Sequence, residues 1–289
     1  MTHDIVLVTF NRQDEVKELI ASFTKAKVLA NIFIIDNNPC PILSKADFNN
    51  SNNIYYIPSG ANLGVAGGRN FGINSSNSDL IIFLDDDIAI DWDQLSDISD
   101  KFDSDPQLGI LAFKIVNYYD KTIHGNEFPH RNKSLDPDNE FETSYFIGAG
   151  HAIHRKVFDQ CGLYPDDYFY GLEELDLSFR AIDKGFKILY YPMVTIWHKQ
   201  SPAGRMPDKR KWACVYRNRL SVAYKYQYRR HLIVLAIIWF YKIAVVSRSF
   251  SAPLRGLLDF LDYRKELVRQ TVSKQTISKI RSLGGRLWY

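Results

Sequence analysis

The stretch from Leu80 to Asp87 constrains the fold more than any other part of the chain. It consists of five apolar residues, Leu-Ile-Ile-Phe-Leu, followed by three aspartates. A short, continuous apolar run is typical of a strand that is buried on both faces, as in a parallel sheet covered by helices. Three successive carboxylates repel one another unless a cation or protons neutralise them. An acidic turn is the alternative, because Asp is favoured in turns.

The position of these aspartates favours a metal site. In open α/β sheets, ligands bind in the crevice outside the carboxyl ends of the strands. A hard divalent cation with phosphate as a co-ligand would account for both the charge and the position of Asp85 and Asp87. In an extended chain, Asp86 would point away from its two neighbours. We therefore do not include Asp86 among the expected metal ligands.

The first 110 residues alternate strand-like and helix-like patterns. We predict strands over residues 5–10, 32–36, 54–57 and 80–84, and helices over residues 14–25 and 69–75, the second preceded by a glycine-rich start at 60–68. Alternation of this kind predicts a mainly parallel sheet with helices on both faces. Further apolar segments lie at 108–116 and 145–153. Residues 187–191 and 193–197 are strand-like, and a helix is predicted over 173–184.

The charge is distributed unevenly along the chain. Residues 201–289 hold 19 Lys and Arg against 4 Asp and Glu, whereas residues 1–200 hold 17 basic and 29 acidic groups. We therefore predict a catalytic domain over residues 1–200 and a basic helical region over 201–289. A basic region favours an anionic membrane surface or a nucleic acid as its partner. Its aromatic residues have helix-compatible spacings that favour packing, so we expect no nucleic acid.

The basic region contains three predicted helices, over residues 211–228, 232–246 and 254–271. Residues 232–241 form an apolar run of ten, which is shorter than the ~20 residues that cross a bilayer. Arg229 and Arg230 precede this run and Arg248 follows it. Such flanking cations are typical of a helix that lies in the membrane interface. A buried helix of a helical subdomain, with or without a homo-oligomer interface, is the alternative.

The cysteines and the N-terminal residues indicate the cellular compartment of the protein. Cys40, Cys161 and Cys214 are far apart and odd in number, which predicts neither a metal site nor a disulfide framework and favours a reducing compartment. The chain enters a strand pattern at once, without the charged and apolar regions of a secretory leader. We therefore expect a cytoplasmic protein.

Two polar motifs follow the first two predicted strands. The first is Thr9-Phe10-Asn11-Arg12 and the second is Asp36-Asn37-Asn38. An Asp or Asn at such a strand end can form hydrogen bonds with a nucleobase or a ribose. Ordinary turn chemistry is the alternative for each motif.

A glycine-rich motif, Asn62-Leu63-Gly64-Val65-Ala66-Gly67-Gly68-Arg69-Asn70, precedes the second helix. Backbone N–H groups at a helix start can approach an anion, and Arg69 adds positive charge. The motif is neither a dinucleotide-binding fingerprint nor a Walker A loop, so it argues against Rossmann oxidoreductases and P-loop ATPases.

Glu173, Glu174 and His198 are further candidates. The two glutamates open a predicted helix, where the helix dipole stabilises carboxylates, but one of them could instead be a general base. His198 ends a predicted strand. It is either structural or the third ligand of a metal site begun by the aspartates.

The order of these motifs closely resembles that of the family 2 glycosyltransferases with the GT-A fold. The nearer likeness is to bacterial rhamnosyltransferase-like and galactofuranosyltransferase-like members, which build surface polysaccharides. The resemblance covers about residues 3–200. It implies a GT-A domain in which a nucleotide-diphosphate sugar binds at the carboxyl edge of the sheet.

The resemblance also implies a role for each matching residue. It places Thr9, Asp36 and Arg69 at the nucleotide, with Asp36 on the base. Glu174 matches the catalytic base, although many relatives have Glu-Asp at this pair, so Glu173 is the alternative. Gly148-Ala149-Gly150 resembles the segment on the acceptor side. The expected donor-binding residues are Thr9, Asn11, Arg12, Asp36, Asn37, Gly64, Gly67, Arg69, Asp85 and Asp86, and the expected metal ligands are Asp85, Asp87 and His198.

We therefore expect an inverting glycosyltransferase that depends on Mn²⁺ or Mg²⁺. The expected donor is dTDP-L-rhamnose, with UDP-linked galactofuranose, glucose or galactose as alternatives. The expected acceptor is a lipid-linked saccharide at the inner face of the cell membrane. Two rival classes are a nucleotidyltransferase, which would also use an aspartate cluster and a metal, and a nucleic-acid-binding protein.

Overall fold

A single mixed sheet organises the protein. The computed structural model describes residues 1–48, 51–204, 206–285 and 287. Within these ranges the strands are β1 (His3–Thr9), β2 (Asn31–Asp36), β3 (Ile54–Pro58), β4 (Leu80–Asp85), β5 (Ile88–Ile90), β6 (Leu108–Asn117), β7 (Phe141–Thr143), β8 (Gly150–His154) and β9 (Lys187–His198).

The strand order in the sheet is β3-β2-β1-β4-β8-β6-β9-β5, and β7 pairs with β9. Strands β1 to β4 are parallel to one another, and β9 is parallel to β6. Strand β8 lies antiparallel between β4 and β6, and β5 and β7 are antiparallel to β9. Six of the nine described strands thus run in one direction, which confirms the prediction of a mainly parallel sheet.

Helices flank this sheet, and further helices follow its last strand in the chain. They are α1 (Gln13–Ala26), α2 (Gly64–Ser75), α3 (Ile98–Ser104), α4 (Arg155–Cys161), α5 (Glu173–Asp183), α6 (Asp208–Tyr226), α7 (Arg229–Val246), α8 (Ser251–Tyr263) and α9 (Lys274–Ser282). Several of the predicted boundaries differ from the structure: α2 begins at Gly64 instead of residue 69, and the apolar segment 145–153 is a strand only from Gly150. Two further differences concern β9 and α8. The segments 187–191 and 193–197 form one strand, β9, whose register against β6 shifts after Tyr191, next to Pro192, which has no N–H to donate.

The second difference concerns the end of α8, which we predicted to continue to Thr271. The helix ends at Tyr263, and the chain then returns in an irregular segment to the C-terminal end of α6. There the N–H groups of Gln270 and Val272 donate to the carbonyl groups of Lys225 and Tyr226. Backbone groups that helix ends leave unpaired are satisfied in this way.

The alternation of side chains along β1 divides the core into two layers. Ile5 and Leu7 pack with the apolar face of α1 on one side of the sheet. Val6 faces the other side, where α2, α4 and α5 pack. Helix α2 lies very close to β1, because a Cβ on Gly72 would lie 2.3 Å from Cγ1 of Val6. Gly68, where a Cβ would lie 2.6 Å from Cγ1 of Val8, and Gly72 therefore serve close helix–sheet packing.

The helices after β9 form a third apolar cluster, centred on Leu220, Leu235 and Trp239. Helix α6 also packs against the sheet layer, where Val222 and Tyr226 join its core. The division of the chain at residue 200 stays a prediction. Among the described helices, none is both long and apolar enough to cross a membrane.

Candidate active site

The carboxyl ends of β1, β2, β4 and β9 surround a cavity of about 520 Å³. It is closed on one side by the segment that follows β9. Of the predicted site residues, those that line the cavity are Thr9, Arg12, Asn37, Gly64, Arg69, Asp85, Asp86, Asp87 and His198. Those that do not line it are Asn11, Asp36, Gly67, Glu173 and Glu174. Glu173 and Glu174 contact Arg69, which lines it.

The predicted metal ligands come together at one end of this cavity. Asp85 ends β4, and the antiparallel pairing of β5 with β9 places His198 opposite Ile88, next to Asp87. One ligand atom each of Asp85, Asp87 and His198 can be chosen so that all three lie within 4.8 Å of one another. Sheet topology thus joins residues that are more than 100 positions apart.

These three residues fit a divalent cation. Oδ1 of Asp87 is buried and accepts no hydrogen bond, although Nε2 of His198 and a guanidinium nitrogen of Arg12 both lie 3.3 Å from it. The charges of His198 and Arg12 offset part of the cost of burying this carboxylate, and a cation bound to Oδ1 would supply the bond that this oxygen lacks. Two carboxylates and one imidazole are donors that Mn²⁺ accepts, whereas Mg²⁺ prefers an all-oxygen set.

His198 is held between two carboxylates. Its Nδ1 lies 2.5 Å from Oε1 of Glu127, which is on the other side of the ring from Asp87. Burial disfavours the imidazolium, but the carboxylates of Asp87 and Glu127 on its two sides outweigh burial and raise the pKa of His198 to about 10. Glu127 is itself buried and lines the cavity. Our sequence reasoning missed Glu127, because it lies in a polar stretch without a local motif.

Asp86 has a different environment from its neighbours. Its carboxylate lies 2.6 Å from Arg12, which also donates to the carbonyl groups of Ser201 and Ala203. Burial raises the pKa of Asp86 to about 7, although the charge of Arg12 opposes this shift. The N–H of Ser201 donates to Asp87 as well. Arg12 and the aspartates therefore fix the segment after β9 over the cavity.

Arg69 lines the cavity and contacts both candidate catalytic bases, Glu173 and Glu174. Its guanidinium lies 3.0 Å from Glu174, 3.2 Å from Glu173 and 3.6 Å from Asp85. It also donates to the carbonyl group of Gly148. The side chain of Glu173 is 2% exposed and that of Glu174 is 16% exposed. Burial, followed by the charge of Glu174, raises the pKa of Glu173 well above its ordinary value.

The motif predicted to bind the nucleobase lies partly inside the protein, at Asp36, and partly at the cavity, at Asn37. Both carboxylate oxygens of Asp36 are engaged inside the protein, Oδ1 by Asn38 and Oδ2 by the hydroxyl of Tyr56 at 2.5 Å. Asn37 lines the cavity and donates to the carbonyl group of Gly64. A contact between Asp36 and the nucleobase of the donor stays a prediction.

The start of α2 is shaped by a close approach of two backbone segments. Gly64 has a φ of +71°, and a Cβ there would lie 2.5 Å from the carbonyl oxygen of Phe169. Only glycine fits such a position. The N–H of Val65 donates to Phe169 and that of Gly64 to Asn62, so protein groups engage the first N–H donors of the helix. Gly67 packs against Leu63 instead of facing the cavity.

Comparisons with known proteins agree with this fold and site. The model for glycosyl transferase family 2 matches residues 4–162. An uncharacterized protein of Haemophilus influenzae is 38% identical over 56% of this chain and 91% of its own length. The dTDP-rhamnosyl transferase RfbF of Shigella flexneri is 23% identical over 67% of each chain. The chain therefore belongs to glycosyl transferase family 2 and is an enzyme of the glycosyltransferase class.

Solved structures show the same fold. The crystal structure of GalNAc-T7 with UDP, GalNAc and Mn²⁺ aligns with a TM-score of 0.64 at 15% identity. The alignment covers 88% of this chain but only 56% of that one. This similarity, together with the family, confirms the GT-A fold that the order of motifs predicts.

Proposed function

We propose that this protein transfers a hexose from a nucleotide-diphosphate sugar to an acceptor hydroxyl with inversion at the anomeric carbon. The observation that carries this proposal is the cavity where Asp85, Asp87 and His198 meet, with Arg69 extending from it to Glu174. It offers a cation site, positive charge and a carboxylate within one connected set of contacts.

The donor would bind along the carboxyl edge of β1, β2 and β4. Thr9 and Asn37 line the part of the cavity next to β1 and β2, where the nucleoside would lie. The diphosphate would lie toward Asp85 and Asp87, near the guanidinium of Arg69. A divalent cation held by Asp85, Asp87 and His198 would stabilise the charge of the leaving diphosphate as a Lewis acid.

Glu174 is the base in this proposal. Its carboxylate accepts the proton of the acceptor hydroxyl while the new bond forms between that oxygen and the anomeric carbon. The bond from the anomeric carbon to the phosphate oxygen breaks on the opposite face, and its electron pair leaves with the nucleoside diphosphate. A base must reach the attacking hydroxyl. The greater exposure of Glu174 supports its assignment over Glu173, which is enclosed by Arg69 and the protein interior.

The proposed donor is dTDP-L-rhamnose. The relative in Shigella flexneri that is named a dTDP-rhamnosyl transferase supports this choice, at 23% identity. The same site would accommodate the chemistry of UDP-linked galactofuranose, glucose or galactose. The proposed acceptor is a lipid-linked saccharide of bacterial surface polysaccharide, such as O-antigen, at the cytoplasmic face of the cell membrane.

A thermal-shift screen of sugar nucleotides with and without Mn²⁺ tests the proposal. A ligand that binds only the folded chain raises its Tm. We expect dTDP-rhamnose to raise the Tm of the native chain in the presence of Mn²⁺, and the shift to disappear in Asp87→Ala. Asp159→Ala, at an exposed position of α4, is the matched control and should behave like the native chain.

Product analysis completes this test. Incubation of the stabilising donor with lipid-linked saccharide acceptors should release a nucleoside diphosphate and yield a glycosylated acceptor. If none of the sugar nucleotides shifts the Tm in the presence of Mn²⁺, the proposed donor site is wrong. Release of pyrophosphate from a nucleoside triphosphate and a sugar phosphate would indicate a nucleotidyltransferase instead.

A further inference from the structure

Helices α7 and α8 expose a continuous apolar surface, which we call the apolar face. Along α7 it repeats at every fourth residue, so that its side chains lie on one side of the helix. The exposed fractions of its side chains are between 40% and 75%. The apolar face consists of Ile233, Ile237, Ile238, Tyr241, Val245, Val246, Phe250, Leu254 and Leu258.

The opposite side of the same helices is already buried. Leu235, Trp239 and Ile243 of α7 pack with Phe260 of α8 and with α6. From Leu232 to Val246, α7 is therefore apolar on all sides except at Lys242, although it is covered on one side only. A helix that is apolar all around is normally buried, and contiguous exposed apolar patches mark interaction sites. The apolar face thus requires a partner.

Charge identifies the kind of partner. Arg229 and Arg230 begin α7, and Lys242 lies within it. Arg248 lies in the turn before α8, and Arg255 lies in α8, where its guanidinium is 3.8 Å from Asp259. Helix α7 contains no acidic residue. A second copy of the same face would bring these cations together, which costs free energy. An apolar surface bordered by cations complements an anionic bilayer, whose interface accepts both parts.

We propose that the apolar face inserts into the interfacial region of an anionic lipid bilayer, with α7 lying along the membrane surface. The sequence left a membrane-interface helix and a buried helix as alternatives, and the structure has features of both. One side of α7 packs in the protein, and the other side would lie among the lipids. Tyr241 and Phe250 supply the aromatic side chains that are typical of membrane interfaces.

Helix α6 connects the apolar face to the catalytic cavity. Arg210, near the start of α6, lines the cavity, and the hydroxyl of Tyr216 donates to the carbonyl group of Ala236 in α7. Tyr216 follows Arg210 by six positions along the helix, a rise of roughly 9 Å. A membrane-bound α7 would hold the cavity close to the bilayer. Together with the proposed function, this geometry favours an acceptor whose lipid anchor stays in the membrane.

Vesicle co-sedimentation of the full chain tests this proposal without any sugar nucleotide, so its outcome is independent of the donor proposal. We expect binding to vesicles of phosphatidylcholine mixed with phosphatidylglycerol, weaker binding to phosphatidylcholine alone, and weakening by salt. The double variant Ile237→Glu, Val245→Glu should bind the mixed vesicles more weakly by roughly tenfold or more, because two inserting side chains become charged. Leu29→Glu, Met193→Glu is the matched control, since both side chains are apolar and exposed outside the apolar face.

A second variant keeps the apolar face unchanged. Arg248→Glu, Arg255→Glu reverses two exposed charges and should weaken the preference for phosphatidylglycerol, while Arg229, Arg230 and Lys242 retain part of it. Absence of vesicle binding by the native chain, or equal binding by both double variants and the control, would overturn the proposal. It would also be overturned if the native chain is a dimer without vesicle affinity and Ile237→Glu, Val245→Glu is a monomer, because a second copy would then cover the face.

Discussion

Oε1 of Glu127 lies 2.5 Å from Nδ1 of His198, while Nε2 of the same imidazole faces Asp87. Metal-binding histidines commonly donate their other ring N–H to a carboxylate, which fixes the orientation of the ring. Gln200 donates to the same oxygen of Glu127 at 3.0 Å. This arrangement holds the imidazole in place before any cation binds. Glu127 therefore acts on the proposed metal site through His198.

The first prediction concerns Glu127. Glu127→Ala should lower Mn²⁺ affinity by about ten- to a hundredfold, because His198 loses the carboxylate that orients it. Glu127→Gln, which keeps an oxygen acceptor, should lose less. Electron paramagnetic resonance titration of free Mn²⁺ measures this affinity directly. Asp136→Ala, at an exposed position in the same polar stretch whose carboxylate accepts hydrogen bonds from Asp138 and Asn139, should leave the affinity unchanged. Native affinity in Glu127→Ala would mean that Glu127 does not position the ligand.

The second prediction separates the two candidate bases. Glu174→Gln should lower turnover by about a hundredfold or more, because an amide does not accept the acceptor proton. Donor binding in the thermal-shift assay should persist, since Glu174 lies behind Arg69 and does not line the donor cavity. Glu173→Gln should retain measurable turnover. If Glu173→Gln is inactive while Glu174→Gln turns over normally, then Glu173 is the base.

The main features of the fold could be predicted from local patterns. The apolar runs that contain Leu80 and Ile5 predicted the bounds of β4 and β1 to within a few residues. A strand that is buried on both faces is a nearly continuous run of apolar residues. The end of α8 could not be predicted in this way. Residues 264–271 have helix-compatible spacing, but the hydrogen bonds of Gln270 and Val272 with the end of α6 stabilise a different backbone.

The candidate site could be predicted only where its residues belong to motifs. Asp85, Asp87 and His198 each end a strand pattern, so their approach follows from sheet topology. Glu127 has no such pattern, and its contact with His198 depends on the path of a long polar segment. Asp36 shows a related limit, because its position at a strand end is evident from the sequence but its internal bond with Tyr56 is not.

The third prediction uses the glycine next to the base. A Cβ on Gly148 would lie 2.3 Å from Oε1 of Glu174 and 2.6 Å from a guanidinium nitrogen of Arg69. Gly148→Ala should therefore displace this ion pair and lower turnover by about tenfold or more, since small displacements of positioned groups are costly. Gly125→Ala is the control, because a Cβ there meets no atom within 4 Å. Steady-state kinetics of both variants, with Tm as a check of folding, measure the effect. Equal turnover in the two variants would show that the position of Glu174 tolerates the added methyl group.

The fourth prediction concerns pH and His151, which is fully buried beside the sheet. Its Nε2 lies 3.0 Å from the hydroxyl of Tyr164, and its ring stacks on Phe83 with centroids 4.9 Å apart. Burial, aided by the positive charge of Arg69, lowers the pKa of His151 well below its ordinary value of 6.5. The imidazole is therefore neutral in the folded chain at any pH near neutrality.

The sign of the pH effect follows from this shift. Below about pH 6.5 the unfolded chain binds a proton at this histidine and the folded chain does not, so the free energy of unfolding falls as the pH falls. In His151→Phe this contribution is absent, whereas every other titratable group is common to both proteins. Between about pH 7.5 and pH 5.5, the native chain should therefore lose roughly 1 kcal/mol more of its unfolding free energy than His151→Phe. Urea unfolding of both proteins at the two pH values measures the difference. An identical pH dependence would show that His151 titrates alike in the folded and unfolded chains, which its enclosure by Phe83 and Tyr164 argues against.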